Sequence, residues 1–309
     1  MNKKVLILGS SGFLGSKVGK LMVDRGFIID FCDLEKKENY DNFYKMEISD
    51  FFKFKKFDLT EYDYIVDVAT VLPFKNDNKK TMYKNIETVK NLVKCKFKNT
   101  HHIIYVSSSG LYGKPDTLPI LANTKFNTLD NYAESKLKAE ELLIASELNY
   151  SIIRPKAILG NGRAGIFEIF FNLIRRGMPL PLPNGGKQIM QFVDVYDVAN
   201  MICFLIENNL SGIYPAAAPN FLTLDKYLEN IEKIYDIKIK KIKINPKLFE
   251  ILGKFLVSLN LTNFTKWHFA GYSYSSYFDP DWKPYNFEYK YSSLDTFLKT
   301  AEAYLDIQK

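Results

Sequence analysis

Short apolar runs alternate with amphipathic stretches through the first half of the chain. Residues 4–8, 28–33, 43–48, 63–69, 102–107 and 151–154 are brief and rich in Val, Ile, Leu, Phe and Tyr, which reads as buried parallel strands. Between them the apolar positions take helical spacing, most clearly over Phe13–Arg25 and Asn131–Leu148. Strand and helix in strict alternation predict an α/β fold built on a doubly wound parallel sheet. Later in the chain Leu180-Pro-Leu-Pro-Asn-Gly-Gly186 reads as a loop. Pro246 to Leu261 is apolar over more than one helical face, with Lys247 and Lys254 among the apolar residues. Such a helix either packs in a core or subunit interface or docks at a membrane surface.

The first strand runs straight into Gly9-Ser-Ser-Gly12-Phe-Leu-Gly15, and a helix follows. Glycines there permit a tight bend and let backbone N–H groups at a helix N-terminus approach a pyrophosphate. The second strand ends in Asp33, at the distance where a carboxylate accepts hydrogen bonds from an adenosine ribose. That acid repels a 2′-phosphate and favours NAD, while Lys36 and Lys37 just beyond keep NADP as the alternative.

Of the 20 tyrosines only Tyr132 has a lysine four residues on, Lys136. At the start of a helix this spacing puts phenol and ammonium on one face, where a cation lowers a phenol toward the range of a general base. Just upstream Tyr105-Val-Ser107-Ser108-Ser109-Gly110-Leu111-Tyr112-Gly113 reads as a strand ending in hydroxyls.

With these motifs the chain resembles, over nearly its whole length, the extended short-chain dehydrogenase/reductases of the NAD-dependent epimerase/dehydratase family. Asp67-Val-Ala69-Thr70 stands where that family has His-Leu-Ala-Ala, and Asn85 opens the next helix. Arg154-Pro155 ends a strand, Phe192-Val193-Asp194-Val-Tyr-Asp197-Val-Ala199 matches a later family segment, and Asp279-Pro-Asp-Trp282-Lys-Pro284 resembles its C-terminal signature. The resemblance implies a Rossmann-type dinucleotide-binding domain over residues 1–160, with a return segment at 191–207, and a smaller substrate-binding cap over 161–309. It implies Ser108 as catalytic hydroxyl, Tyr132 as base, and Lys136 on the nicotinamide ribose, tuning Tyr132. It assigns the cofactor to Gly9, Ser11, Gly12, Phe13, Leu14, Gly15, Asp33, Val68, Ala69, Thr70, Asn85, Tyr132, Lys136 and Pro155, with Glu47 and Ile48 at the adenine. It further implies a homodimer.

Departures from the family pattern narrow the chemistry. Dehydratases and decarboxylases carry acids between the catalytic hydroxyl and the next tyrosine, where this chain has Ser109, Gly110 and Leu111. Gly110 also fills the slot of the cysteine that serves inversion at neighbouring carbons. Simple hydride exchange at a secondary alcohol remains, as in a sugar epimerase or 4-ketoreductase of cell-surface glycan synthesis. Met190 occupies the place of the arginine that clamps a nucleotide-sugar diphosphate, and Asp194, in place of a histidine, adds negative charge nearby. Ser109, Arg163, Lys187 and Met190 are therefore the candidate substrate contacts, with Arg163 or Lys187 compensating. Otherwise the sugar is carried on a polyprenyl diphosphate, with the 246–261 segment at the membrane. A dinucleotide-sensing protein without catalysis is the remaining class.

At 309 residues and 47% hydrophobic content the chain supports a real core. Cys32, Cys95 and Cys203 lack metal-ligand or disulfide spacing, and His101, His102 and His268 do not cluster, so no metal is expected. A net charge of +7 dominated by diffuse lysines reads as a solvated surface with no nucleic-acid partner. No leader and no run of 18 apolar residues precedes or interrupts the domain, which predicts a cytoplasmic protein, at most touching the inner membrane face.

Overall fold

The computed structural model describes residues 3–37, 40–50, 58–72, 78–95, 102–163, 166–259 and 265–305. Seven strands form one sheet: β1 (Lys4–Leu8), β2 (Ile28–Asp33), β3 (Phe43–Lys45), β4 (Tyr64–Asp67), β5 (His102–Val106), β6 (Asn149–Pro155) and β7 (Gly212–Ala216). Their order is β7-β6-β5-β4-β1-β2-β3 and every pairing is parallel. The chain winds outward from β1 through β2 to β3, then crosses back to β4 and winds the other way. The crevice at the carboxyl ends of β1 and β4 is thus a topological switch point, where open α/β sheets bind ligands.

Helices α1 (Phe13–Asp24), α2 (Lys79–Val93) and α3 (Asn131–Ile144) follow β1, β4 and β5. Asn78, and not Asn85, opens α2, capping it by accepting the Thr81 N–H, while Asn85 lies inside the helix; Asp130 caps α3 by accepting the Ala133 N–H. The last of these helices ends four residues before its predicted limit, and Glu147 then takes a left-handed φ of 59° to start β6. The third strand is also shorter than predicted. Beyond Lys45 the side chains of Met46 and Ile48 turn into the core beside Leu6, Leu8 and Cys32.

The cap comprises α4 (Ile166–Arg175), α6 (Leu224–Tyr235), α7 (Pro246–Ser258), α8 (Lys266–Ser273) and α9 (Ser293–Leu305), with α5 (Val195–Glu207) returning to the sheet domain. Its core is aromatic: Phe170, Phe171, Phe192, Tyr227 and Phe297. The return extends past residue 207, because the chain continues into β7 at the sheet edge. Val195, Val198, Ala199 and Ile202 of α5 share a core with Val18 and Met22 of α1.

Three further expectations change. The segment read as a loop begins instead with a strand, Leu180–Pro183, paired in parallel with Lys241–Ile244. Asp194 does not add charge to a cleft: it is fully buried, caps α5 through the Tyr196 N–H at 2.8 Å, and pairs with Lys299 at 2.9 Å. Nor does α7 pack into the cap core. Gly253 is its one buried residue, set so close to α8 that an added Cβ would lie 2.2 Å from the Phe269 ring. Leu248, Ile251, Leu252 and Phe255 face outward, with exposures of 52–64%. The final two residues of the segment as read from sequence, 260 and 261, lie outside the described residues.

Candidate active site

A cavity of about 420 Å³ opens at the switch point. Its floor is the glycine turn. Gly9 has φ +83°, and a Cβ there would fall 2.6 Å from the Ala69 backbone; one on Gly15 would fall 2.1 Å from the Gly9 carbonyl oxygen. Only glycine allows the turn to lie this flat against the end of β4, which leaves a cradle of the shape a pyrophosphate needs. Asp33 lines the same cavity from the end of β2, its carboxylate held by the N–H groups of Ser11 and Leu34 at 2.8 and 2.7 Å. Ser11 itself does not line the cavity. It orients Asp33 and donates its hydroxyl to the Glu35 carbonyl at 2.6 Å.

Gly12, Phe13, Leu14, Glu47, Ile48, Val68, Ala69, Thr70, Asn85 and Pro155 all line the cavity with Ser108, Tyr132 and Lys136. Asn85 is buried and uses its whole amide inside the protein. Its oxygen accepts the Val71 N–H at 2.8 Å, and its nitrogen donates to the Val71 carbonyl and to Ser135 Oγ at 3.2 and 3.1 Å. The residue thus ties the loop after β4 to the helix that carries Tyr132.

At the other end the hydroxyls of Thr70 and Ser108 and the Arg163 guanidinium share the cavity with the Tyr132 phenol and act on it. Burial raises the phenol above its ordinary value, while those two hydroxyls and Arg163 act downward. Lys136 is fully buried, with its ammonium on the Val106 carbonyl at 2.9 Å and above the Tyr105 ring. Burial pushes it down to about 8, against the opposing pull of Asp67 and Glu140. Asp67 is pushed up to about 6 by burial, with Lys136 acting against the shift. The groups that act on the Tyr132 phenol here are therefore Thr70, Arg163 and Ser108, which lower it, and the Asp130 carboxylate, which raises it with burial.

The substrate side holds a second, smaller cavity of about 110 Å³. Ser109 and Met190 line it, and Arg163 lines the first cavity with its guanidinium over the Phe13 ring. Lys187 is exposed and lines neither. Lys156 and His268 line both cavities and were not singled out from sequence. Lys156 follows Arg154-Pro155 directly, so its place beside a motif was a signal. His268 had none, since only the fold of the cap brings it there.

The sequence pattern of the NAD dependent epimerase/dehydratase family matches residues 5–216, more than two thirds of the chain. The chain belongs to that family. NAD is accordingly its cofactor, and the glycine cradle and the Asp33 carboxylate fit it. Among curated relatives, a protein of Sinorhizobium fredii called y4nG is 29% identical over 184 residues, 57% of this chain and 46% of its own length. The chain is 26% identical to chloroplast stem-loop binding protein of 41 kDa b of Arabidopsis thaliana, over 80% of this chain and 68% of that one. It is 25% identical to an Escherichia coli O157:H7 N-acetyl-α-D-glucosaminyl-diphospho-ditrans,octacis-undecaprenol 4-epimerase, over 82% of this chain and 81% of that one. The UDP-Glc/GlcNAc 4-epimerase of Campylobacter jejuni superposes with a TM-score of 0.75 at 18% identity, covering 99% of both chains, which establishes a common fold.

Among the described residues no helix is long and apolar enough to cross a membrane, and no group of three or more His, Cys, Asp or Glu is placed to hold a metal.

Proposed function

We propose that the protein is an NAD-dependent sugar epimerase that inverts a secondary alcohol of a diphosphate-linked sugar, with a nucleotide as the carrier. The observation that carries this reading is the Tyr132 phenol, with Ser108 and Thr70 beside it, in the same cavity as the glycine cradle. Asp33 and Glu47 are the acids among the described residues that line the cavity, and both belong to the adenosine side. Elimination or decarboxylation needs acid/base groups beside the reacting carbon, and hydride exchange needs only one proton acceptor.

NAD, when bound, accepts the hydride and gives it back. Tyr132 as phenolate takes the hydroxyl proton while the carbon loses hydride and becomes a ketone. Ser108 donates a hydrogen bond to that oxygen. The sugar then presents its other face, hydride returns to the carbon, and Tyr132 restores the proton. The buried Lys136 supplies positive charge at the nicotinamide end. A 4-ketoreductase would use only the second half of this apparatus, in which a ketone receives hydride at carbon and a proton from Tyr132, and it consumes the hydride.

One observation favours a second carrier. The outward row Leu248, Ile251, Leu252 and Phe255 has exposed Lys247 and Lys254 beside it on the same helix. An apolar stripe with lysines at its margins matches the surface of an anionic bilayer and would bring the enzyme to a polyprenyl-diphosphate-linked sugar. The test is flotation with anionic vesicles beside turnover of UDP-linked and polyprenyl-diphosphate-linked N-acetylhexosamines. Turnover of the UDP-sugar without flotation supports the nucleotide carrier. Flotation abolished by Ile251→Glu with Phe255→Glu, together with turnover of the lipid-linked sugar alone, overturns it in favour of the second. Turnover of neither, nor of the corresponding hexoses and hexuronates, with intact NAD binding, supports the non-catalytic class.

A further inference from the structure

Lys156 is buried, yet no carboxylate among the described residues pairs with it. Its ammonium donates to Ser276 Oγ at 2.6 Å and lies 5.5 Å from the centre of the Phe278 ring. Burial alone brings its amine down to about 7. Other buried charges have ionic partners, Arg154 in Glu140 at 2.6 Å and Asp194 in Lys299, while Lys136, which like Lys156 has no ion pair among the described residues, also lines the ligand cavity. An unmatched one is costly to keep unless it meets a counter-charge in use.

The position of Lys156 says which part of a ligand it meets. It follows Pro155 and stands with Ser109 and His268 where the two cavities join, at the Tyr132 end. The adenosine side, marked by Asp33 and Glu47, belongs to the first cavity alone. Walls of Phe167, Phe170 and Phe192 suit the smaller cavity to a substituent of a sugar ring more than to a hydrated diphosphate. We propose that Lys156 receives a carboxylate borne by the sugar itself, with Ser276 as neutral hydrogen-bonding neighbour, so that the preferred substrate is a sugar acid such as a hexuronate. This rests on the reading that a sugar enters the cleft, but it does not depend on the carrier.

Sugar 1-phosphates test it, because they contain the part that nucleotide and lipid carriers share. Calorimetric titration of the NAD-loaded protein with glucuronic acid 1-phosphate and glucose 1-phosphate should show a preference for the acid of roughly tenfold or more. Lys156→Met should abolish the preference with NAD affinity unchanged, and Lys156→Arg should retain part of it. Above pH 7 the wild type should also take up protons on binding the acid, read from buffers of different ionisation heat, and the Met variant should not. Equal affinity or no binding by the wild type overturns the proposal, as does a preference that survives Lys156→Met. Equal weakening of both ligands by Lys156→Met also overturns it, since the lysine would then hold the phosphate. A retained preference without turnover of any sugar counts against the epimerase reading only.

Discussion

Asn85 donates a hydrogen bond to Ser135 Oγ at 3.1 Å, and this contact helps join the loop after β4 to the helix that carries Tyr132. The Ser135 hydroxyl donates onward to the Tyr132 carbonyl at 2.7 Å, so the link reaches the backbone of Tyr132 itself. Asn85→Ala should lower the unfolding free energy by about 1–3 kcal/mol, the cost of leaving buried partners unsatisfied. Denaturant titration measures this. Cofactor affinity should fall as well, because Thr70 and Val71 lose their support.

Gly15→Ala sets a methyl group against the Gly9 carbonyl oxygen at 2.1 Å, with backbone on both sides and no flexible side chain to yield. NAD affinity should drop by roughly tenfold or more as the cradle deforms, in line with overpacking costs of about 1–3 kcal/mol. Fluorescence titration with NADH reports it.

Asp33 should govern the choice between cofactors. With both carboxylate oxygens oriented by backbone N–H groups, it presents fixed negative charge toward the cavity. The wild type should bind NADH more tightly than NADPH, and Asp33→Ala should narrow the gap. Equal affinities in the wild type would shift attention to Lys36 and Lys37.

Much of this was legible in the sequence, because it depends on neighbours along the chain. Gly9, Gly12 and Gly15 act at fixed offsets within one turn, and Tyr132 and Lys136 within one helical turn, so spacing alone carries their meaning. What was missed depends on distant partners. Lys156 is one lysine in a lysine-rich chain until Ser276 and Phe278 close over it. Asp194 was misread as a charge in the cleft. Its place just before a helix was a local sign of a cap, whereas its pairing with Lys299 arises only from the fold. The outward face of α7 was likewise hidden, since a helix apolar on more than one face looks the same in sequence whether buried or exposed.

The burial of Lys156 has a pH signature. Its folded-state value of about 7 lies below its ordinary 10.5, so the unfolded chain binds the extra proton between those limits. The destabilisation is fully present below pH 7 and fades as pH rises toward 10.5. Lys156→Met should therefore raise the thermal midpoint at pH 6, and the gain should shrink steadily between pH 7 and pH 10. A gain independent of pH would show that the amine is not desolvated in the folded state.

The central claim is hydride exchange governed by Tyr132, and turnover in D₂O tests it most directly. UDP-linked and polyprenyl-diphosphate-linked hexoses and hexuronates would be incubated with the NAD-loaded enzyme and the products read by NMR. The prediction is an inverted sugar with no deuterium at the inverted carbon, and a rate reduced by roughly 10² or more in Tyr132→Phe with NAD binding intact. Deuterium at that carbon, or an undiminished rate in Tyr132→Phe, would contradict the account.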